Sequence, residues 1–322
     1  MIPDIRTTNA QNIGGRPYQE DCFAILDVDT TEPAEQQCHV AVIADGMGGL
    51  AHGDAAARRA VQEFSRHFQA RMPGVRLIDA LRDALLAANS AVAQEAQARK
   101  VPGQMGTTMI AVAVCGGRMQ WVSTGDSGLF LVRGGCVRRL NRAHTFGSFL
   151  DDQVKQGELP RELAAANPHR EALTSYIGMS KMPEIDLPAE SLHLEEGDMV
   201  LLATDGLFKT LSLAEISEAL SGPGDPAEGL VRRALAVGLP QQDNVTVIAI
   251  CCGEIRHIPL TAEGEQEETA EMPKPDLPPE RPLPASAGEA PRRAGRNPAL
   301  WLALALAAAV LGWIVYSFIL CC

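Results

Sequence analysis

Acidic residues flank the apolar runs of this chain in a repeated pattern. Asp45 directly follows the run 40–44 and Asp205 closes the run 200–204, whereas Asp21 precedes 22–28 and Asp243 precedes 245–250. Two acids end candidate strands and two begin them. In antiparallel neighbours the end of one strand lies beside the start of the next, so all four can converge on one edge of a sheet. Asp126, in the turn between 121–123 and 129–132, and Glu20, beside Asp21, can join them. A single aspartate at such a place is an ordinary turn residue; the conjunction carries the signal. Gathered carboxylates repel one another unless a cation compensates them, and oxygen donors suit hard ions such as magnesium or manganese. Zinc is a poor candidate, because no histidines fall at useful spacing and no cysteine cluster exists. Two hard ions about 4 Å apart generate a hydroxide at neutral pH and clamp both oxygens of a displacement at phosphorus. Arg16, just before Glu20 in sequence, can supply a planar fork for a phosphate.

Hydrophobic periodicity gives the elements that must position these residues. Strands are predicted at 22–29, 39–44, 107–115, 119–123, 129–133 and 137–140, with Gly116-Gly117 and Gly134-Gly135 as hairpin turns. Further strands are predicted at 185–194, 199–204, 245–250 and 255–258. In 54–70 the residues Ala57, Val61, Phe64 and Phe68 recur at helical steps, and in 75–99 Leu77, Leu81, Leu85, Ala88, Val92 and Ala96 do the same. Two more helices are expected at 213–220 and 226–237. Strands arriving in hairpins, with helices in separate pairs, predict an α+β domain built on antiparallel sheet.

Composition narrows the functional classes. The 322 residues are 46% hydrophobic and 21% charged, enough apolar material for a buried core. The net charge of −12 argues against a general nucleic-acid binder, which needs a basic stripe. The eight cysteines contain no Cys-x-x-Cys pair, and no apolar stretch occupies the first twenty residues. Reduced cysteines packed as small hydrophobes are therefore expected, without a secretory signal.

Three zones follow. Residues 1–252 carry the alternating apolar runs, 253–298 form a Pro-rich, acidic linker, and 299–320 are free of charge and rich in Leu, Ala, Val and Trp. A helix over 299–320 spans roughly 33 Å, enough for a bilayer core. Arg292, Arg293 and Arg296 lie just before it, so the expected topology is a single-pass cell (inner) membrane anchor with the catalytic domain in the cytoplasm.

The motifs together resemble a family. Arg16-x-x-x-Glu20-Asp21, Ala44-Asp45-Gly46-Met47-Gly48-Gly49, Gly106-Thr107-Thr108, Thr124-Gly125-Asp126-Ser127, Gly197-Asp198, Ala203-Thr204-Asp205-Gly206 and Asp243-Asn244-Val245-Thr246 stand in the order and spacing of the metal-dependent protein phosphatases. These are the type 2C serine/threonine phosphatases, and the chain is similar to their compact bacterial members over about residues 5–252. The resemblance implies two antiparallel sheets packed as a sandwich between helix pairs, with two Mn2+ or Mg2+ ions at one end. It implies Asp45 between the two ions, Glu20 and the Gly46 carbonyl on one, and Asp205 and Asp243 on the other. Asp21 would hold water beside the ions or ligate directly, Asp126 with Asp205 would hold a third, weaker ion, and Arg16 would bind phosphate. A hydroxide bridging the ions would attack phosphorus in line on phosphoserine or phosphothreonine of proteins, a partner serine/threonine kinase being the implied source.

The chain departs from the family at several points. Met47 stands where many eukaryotic relatives place a histidine proposed as general acid, which leaves protonation of the leaving oxygen to a metal-bound water. Gly128 replaces the arginine usual after Gly-Asp-Ser, and Ala143-His144 replaces an Asp-His pair. Residues 146–182 occupy the family's flap position, and their glycines and prolines suit a mobile segment facing substrate. Two other readings compete. Cys136 and Arg142 have the gap of a cysteine phosphatase loop, although Cys136 starts a short strand rather than a helix. A catalytically inactive, membrane-tethered binding module is the other, and loss of a metal ligand would be its mark; Glu20, Asp45, Asp205 and Asp243 are all present.

Overall fold

Strands that are apolar on both faces must be covered on both faces, and that requirement builds the architecture. The computed structural model describes residues 4–29, 37–47, 52–71 and 74–253. In chain order the first elements are β1 (Ile5–Asn12), β2 (Cys22–Asp29), β3 (Gln37–Ala44), α1 (Gly53–Gln69), α2 (Leu77–Ala98), β4 (Met109–Cys115) and β5 (Arg118–Thr124). Then come β6 (Gly128–Arg133), β7 (Cys136–Arg139), α3 (Phe146–Lys155), α4 (Arg161–Ala165) and β8 (Leu192–His193). The last are β9 (Met199–Ala203), α5 (Asp205–Phe208), α6 (Leu213–Leu220), α7 (Pro226–Ala236) and β10 (Val245–Cys252).

The strands form two five-stranded antiparallel sheets, ordered β1-β10-β9-β6-β7 and β2-β3-β4-β5-β8. Ile110, Val112 and Val114 of β4 face Leu129, Leu131, Val200, Leu202, Ile248 and Ile250 of the other sheet, a dry interface between the two. The alternate residues Met109, Ala111 and Ala113 turn outward against Phe64, Phe68, Leu81 and Leu85 of α1 and α2. On the opposite sheet Val245, Val247 and Ala249 turn outward against Ile216, Leu220, Leu230 and Val231 of α6 and α7. The period-two alternation of each strand thus serves two cores at once.

Register decides which acids meet. Cys22 pairs with Ala44, so Asp21 and Asp45 leave neighbouring strand ends side by side. In the other sheet Val247 pairs with Ala203 and Val245 with Asn12, which brings Asp205, Asp243 and the loop after β1 to the same end. Asp126 lies where the chain crosses from β5 in one sheet to β6 in the other.

Several expectations change. β1 carries no apolar run and no strand is predicted there, yet it pairs along its whole length with β10, whose buried edge needs a partner. The predicted strand 185–194 contracts to Leu192–His193, with a separate bridge between Ser123 and Asp186. Cys38 and Cys115 are joined as a disulfide rather than packed as reduced thiols, because the β3–β4 register sets them opposite on one face with Cα atoms 4.4 Å apart. The strand at 255–258, the linker 253–298 beyond Gly253 and the span 299–320 lie outside the described residues. Among the described residues no helix is long and apolar enough to cross a membrane.

Candidate catalytic cavity

Loops from both sheets close around a cavity of about 180 Å³ lined by Arg16, Glu20, Asp45, Gly46, Asp126, Asp205 and Asp243. Seven of the eight residues expected to bind metal or phosphate therefore line one cavity. Asp21, the eighth, lies behind it. Its Oδ2 accepts from Thr204 Oγ1 at 3.0 Å and Thr246 Oγ1 at 2.6 Å, which ties one sheet to the other, and its buried Oδ1 has no partner.

Each acid is fixed through its backbone. The Asp45 amide donates to Thr108 Oγ1 at 3.0 Å, and its carbonyl accepts from Thr107 Oγ1 and the Thr108 amide at 2.8 and 2.9 Å. Thr108 in turn meets Ser127 Oγ at 2.7 Å, which links Asp45 to the Asp126 loop. Asn244 accepts from the Glu20 amide at 2.8 Å and donates to the carbonyls of Ile13 and Tyr18, pinning the Arg16 loop against Asp243. Gly46 has a steric role: a Cβ there would stand 2.4 Å from the Gly53 carbonyl oxygen and 2.6 Å from that of Glu20. The close approach at this glycine is thus backbone on backbone.

Electrostatically the cavity is overcharged. Burial first, and then repulsion from Asp21, Asp205, Asp126 and Asp243, holds the Asp45 carboxyl well above the usual carboxylate range. Asp21 is raised to about 7 chiefly by burial, against the opposing hydrogen bonds from Thr246 and Thr204. Asp126 is raised to about 6 by burial and by Asp205, and Glu20 is raised chiefly by burial. Two cations answer this charge. Arg16 Nη2 lies 2.7 Å from Asp243 Oδ2, and Lys209 Nζ lies 2.7 Å from Asp205 Oδ2. The carboxylates share the cavity without converging on one point: among the described residues no three His, Cys, Asp or Glu side chains are gathered tightly enough to ligate an ion.

The donor chemistry nevertheless fits divalent ions. The acidic side chains offer only oxygen donors, Gly46 lines the cavity beside them, their mutual repulsion is only partly compensated, and the Asp21 Oδ1 has no hydrogen-bond partner.

Sequence reasoning missed Lys209, Glu171 and Arg139. Lys209 sits one helical turn after Asp205, a spacing that could have flagged it. Glu171 and Leu173 come from the flap segment and line the same cavity, as expected for its substrate-facing position. That segment is ordered by the Thr145 cap of α3 and by Arg170, which pairs with Asp151 at 2.9 Å. Arg139 donates to the carbonyls of Asp126 and Ser127 at 2.7 and 3.0 Å and packs over the Phe130 and Phe208 rings. Gly128 is needed beside it, since a Cβ there would come within 2.4 Å of the Phe130 ring. His144 is buried, its pKa lowered by that burial, and its Nδ1 accepts from the Gly125 amide at 3.2 Å, so it shapes the Asp126 turn. Cys136 is exposed at the start of β7 and Arg142 is engaged by Asp152 at 2.5 Å, so the cysteine–arginine pair forms no phosphate cradle.

Residues 27–227 match the family model described as protein phosphatase 2C. The chain belongs to that family. It is 34% identical over 212 residues to the serine/threonine protein phosphatase PstP of Mycobacterium tuberculosis, an alignment covering 64% of this chain and 39% of PstP. It thus spans well under half the length of that relative. A crystal structure of the Streptococcus agalactiae serine/threonine phosphatase superposes with a TM-score of 0.64 at 28% identity, over 77% of this chain and 100% of that one. The catalytic domain of PstP in complex with two manganese ions superposes with a TM-score of 0.60 at 29% identity, over 78% and 99% of the two chains. Membership in the protein phosphatase 2C family accounts for the paired antiparallel sheets.

Proposed function

We propose that this chain is a metal-dependent serine/threonine protein phosphatase. The observation that supports it most directly is that Glu20, Asp45, Gly46, Asp126, Asp205 and Asp243 line one cavity together with Arg16, in a member of the protein phosphatase 2C family. In this reading Asp45, Glu20, the Gly46 carbonyl, Asp205 and Asp243 would hold two manganese or magnesium ions. Such ions, when bound, supply the positive charge that acidifies water and neutralises a phosphate.

The chain's own residues do the rest. Arg16 presents a guanidinium fork that can grip two phosphate oxygens. Its present bond to Asp243 is about half exposed, at 44% and 41%, and an exposed pair of this kind holds by at most about 1 kcal/mol, so it exchanges readily for a phosphate. Asp21, held rigid by Thr204 and Thr246, keeps Oδ1 free to accept a hydrogen bond and orient water at the cavity wall. Thr107, Thr108 and Asn244 prevent the acids from relaxing away from one another. Glu171 and Leu173 line the cavity, where they would meet the residues flanking a phosphorylated side chain.

The substrates are phosphoserine and phosphothreonine on proteins, with a serine/threonine kinase as the opposing partner. Residues 299–320 are proposed as a membrane helix that holds the domain on the cytoplasmic side. Deletion of residues 297–322 should release the protein from membranes, and a truncated chain that still pellets with them would refute the anchor.

For the activity, the whole chain is assayed with para-nitrophenyl phosphate and a phosphothreonine peptide. Turnover should require manganese or magnesium, vanish in Asp243→Ala and persist in Cys136→Ser. Turnover in a chelator, or its loss in Cys136→Ser, would overturn the assignment. A folded chain inactive with every divalent ion would instead be a binding module.

A further inference from the structure

We infer that Lys209 is a built-in cation for the Asp126–Asp205 side of the cavity, and that this chain therefore takes two divalent ions, with the lysine ammonium standing where a third would sit. The inference rests on the metal-dependent phosphatase reading and deepens it.

The geometry is specific. Lys209 Nζ lies 2.7 Å from Asp205 Oδ2, 3.3 Å from Glu171 Oε2 and 3.9 Å from Asp126 Oδ2. An ammonium has three N–H donors and no acceptor, and three carboxylates surround this one. The Asp205 and Asp126 side chains are only 14% and 13% exposed, so the charge between them is partly shielded from water. Two carboxylates so placed disfavour each other's ionised form, and one fixed positive charge relieves both. A divalent ion in the same space would meet that fixed charge at short range, where like charges repel. Arg139 adds a second positive group on the far side of Asp126, through the carbonyls of Asp126 and Ser127.

The other side of the cavity is built differently. Among the described residues no lysine or arginine side chain pairs with Asp45 or Asp21, and Arg16 pairs with Asp243 and offsets the charge of Glu20. Asp45, the acid expected to serve both ions, is thus left without a basic partner, while the Asp126–Asp205 pair expected to hold a third ion already has one. Lys209 also reaches Glu171 of the flap, so the same ammonium fixes the substrate-facing segment to the floor of the site. It is a positioning residue rather than a group that touches the reacting atoms.

The test counts ions on the whole chain. Manganese bound per chain at saturation is measured by equilibrium dialysis with elemental analysis, alongside manganese activation of para-nitrophenyl phosphate turnover and a melting curve for each variant. The wild type should saturate at two ions. Lys209→Met, which keeps the length and removes the charge, should saturate at three, the third binding at least tenfold more weakly, with activation extending to correspondingly higher manganese. Lys209→Arg should remain at two. Lys209→Gln serves as a second neutral variant should the methionine variant fail to fold. A wild type that binds three ions, or a folded neutral variant that stays at two, would overturn the inference while leaving the phosphatase reading intact. A wild type that binds none and hydrolyses nothing would overturn that reading, and the inference with it.

Discussion

Strand β9 has a low-exposure aspartate near each end, and the protein treats the two in opposite ways. Asp198, just before Met199, is 2% exposed in its side chain and receives Arg133 through Nε at 2.8 Å and Nη2 at 2.6 Å, with the Glu195 amide at 2.8 Å. Asp205, just after Thr204, shares its end of the sandwich with Asp21, Asp45, Asp126 and Asp243, answered by half-exposed Arg16 and Lys209. A bidentate arginine shows what this fold can do when a buried carboxylate only has to be stable. At the other end the same chain leaves its negative charge in excess, and that excess is available to bind and polarise something positive.

The largest effect should come from the overcharged end. Asp45→Ala should lower manganese-dependent turnover about 1000-fold, ~4 kcal/mol of transition-state stabilisation. Its melting temperature in a chelator should stay level or rise, because a repelling carboxylate is gone; a marked fall would mean that Asp45 is structural. Asp198→Ala should do the reverse. The substitution removes the buried acceptor of two Arg133 bonds and of the Glu195 amide, so about 2 kcal/mol of stability should be lost, measured by urea unfolding, with turnover per folded molecule kept. If Asp198→Ala abolished turnover at full stability, the contrast between the two ends would fail.

Arg16→Ala should raise KM for a phosphopeptide about tenfold, ~1.4 kcal/mol, with little change in melting temperature. An unchanged KM would remove Arg16 from phosphate binding. The smallest effect concerns pH. In a chelator the melting temperature should fall by about 2–4 °C per kcal/mol lost as pH rises from about 5 to 8. Asp21 is raised to about 7 and Asp126 to about 6, so across this range the folded chain binds more protons than the unfolded one. The stabilisation is therefore complete below the unfolded carboxylate range, near pH 4, and is lost as pH passes the folded values. Manganese should reverse the slope, since it competes with protons for the same oxygens. A melting temperature that rises with pH in the chelator would show that the acids are not held as described.

Much of this was legible beforehand. The strand at Cys22–Asp29 and the acids that follow Ala44 and Thr204 stand where alternation and turn chemistry put them. β1 was not legible, because Arg6, Thr7, Thr8 and Asn9 give no apolar alternation and the strand exists only by pairing with β10. Neither was the Cys38–Cys115 disulfide, which depends on one register between two strands far apart in sequence. Glu171 reached the cavity through a flap whose path no local pattern specifies.

Sequence alone determined which atoms are available, namely hard oxygen donors set at strand ends, because side-chain chemistry and strand periodicity are local properties. Tertiary structure alone decided how the charge is shared out: Arg133 closes one end of β9, and Lys209 and Arg16 only partly answer the other. Charge interactions depend on distance and burial in three dimensions, and neither is written in the order of residues.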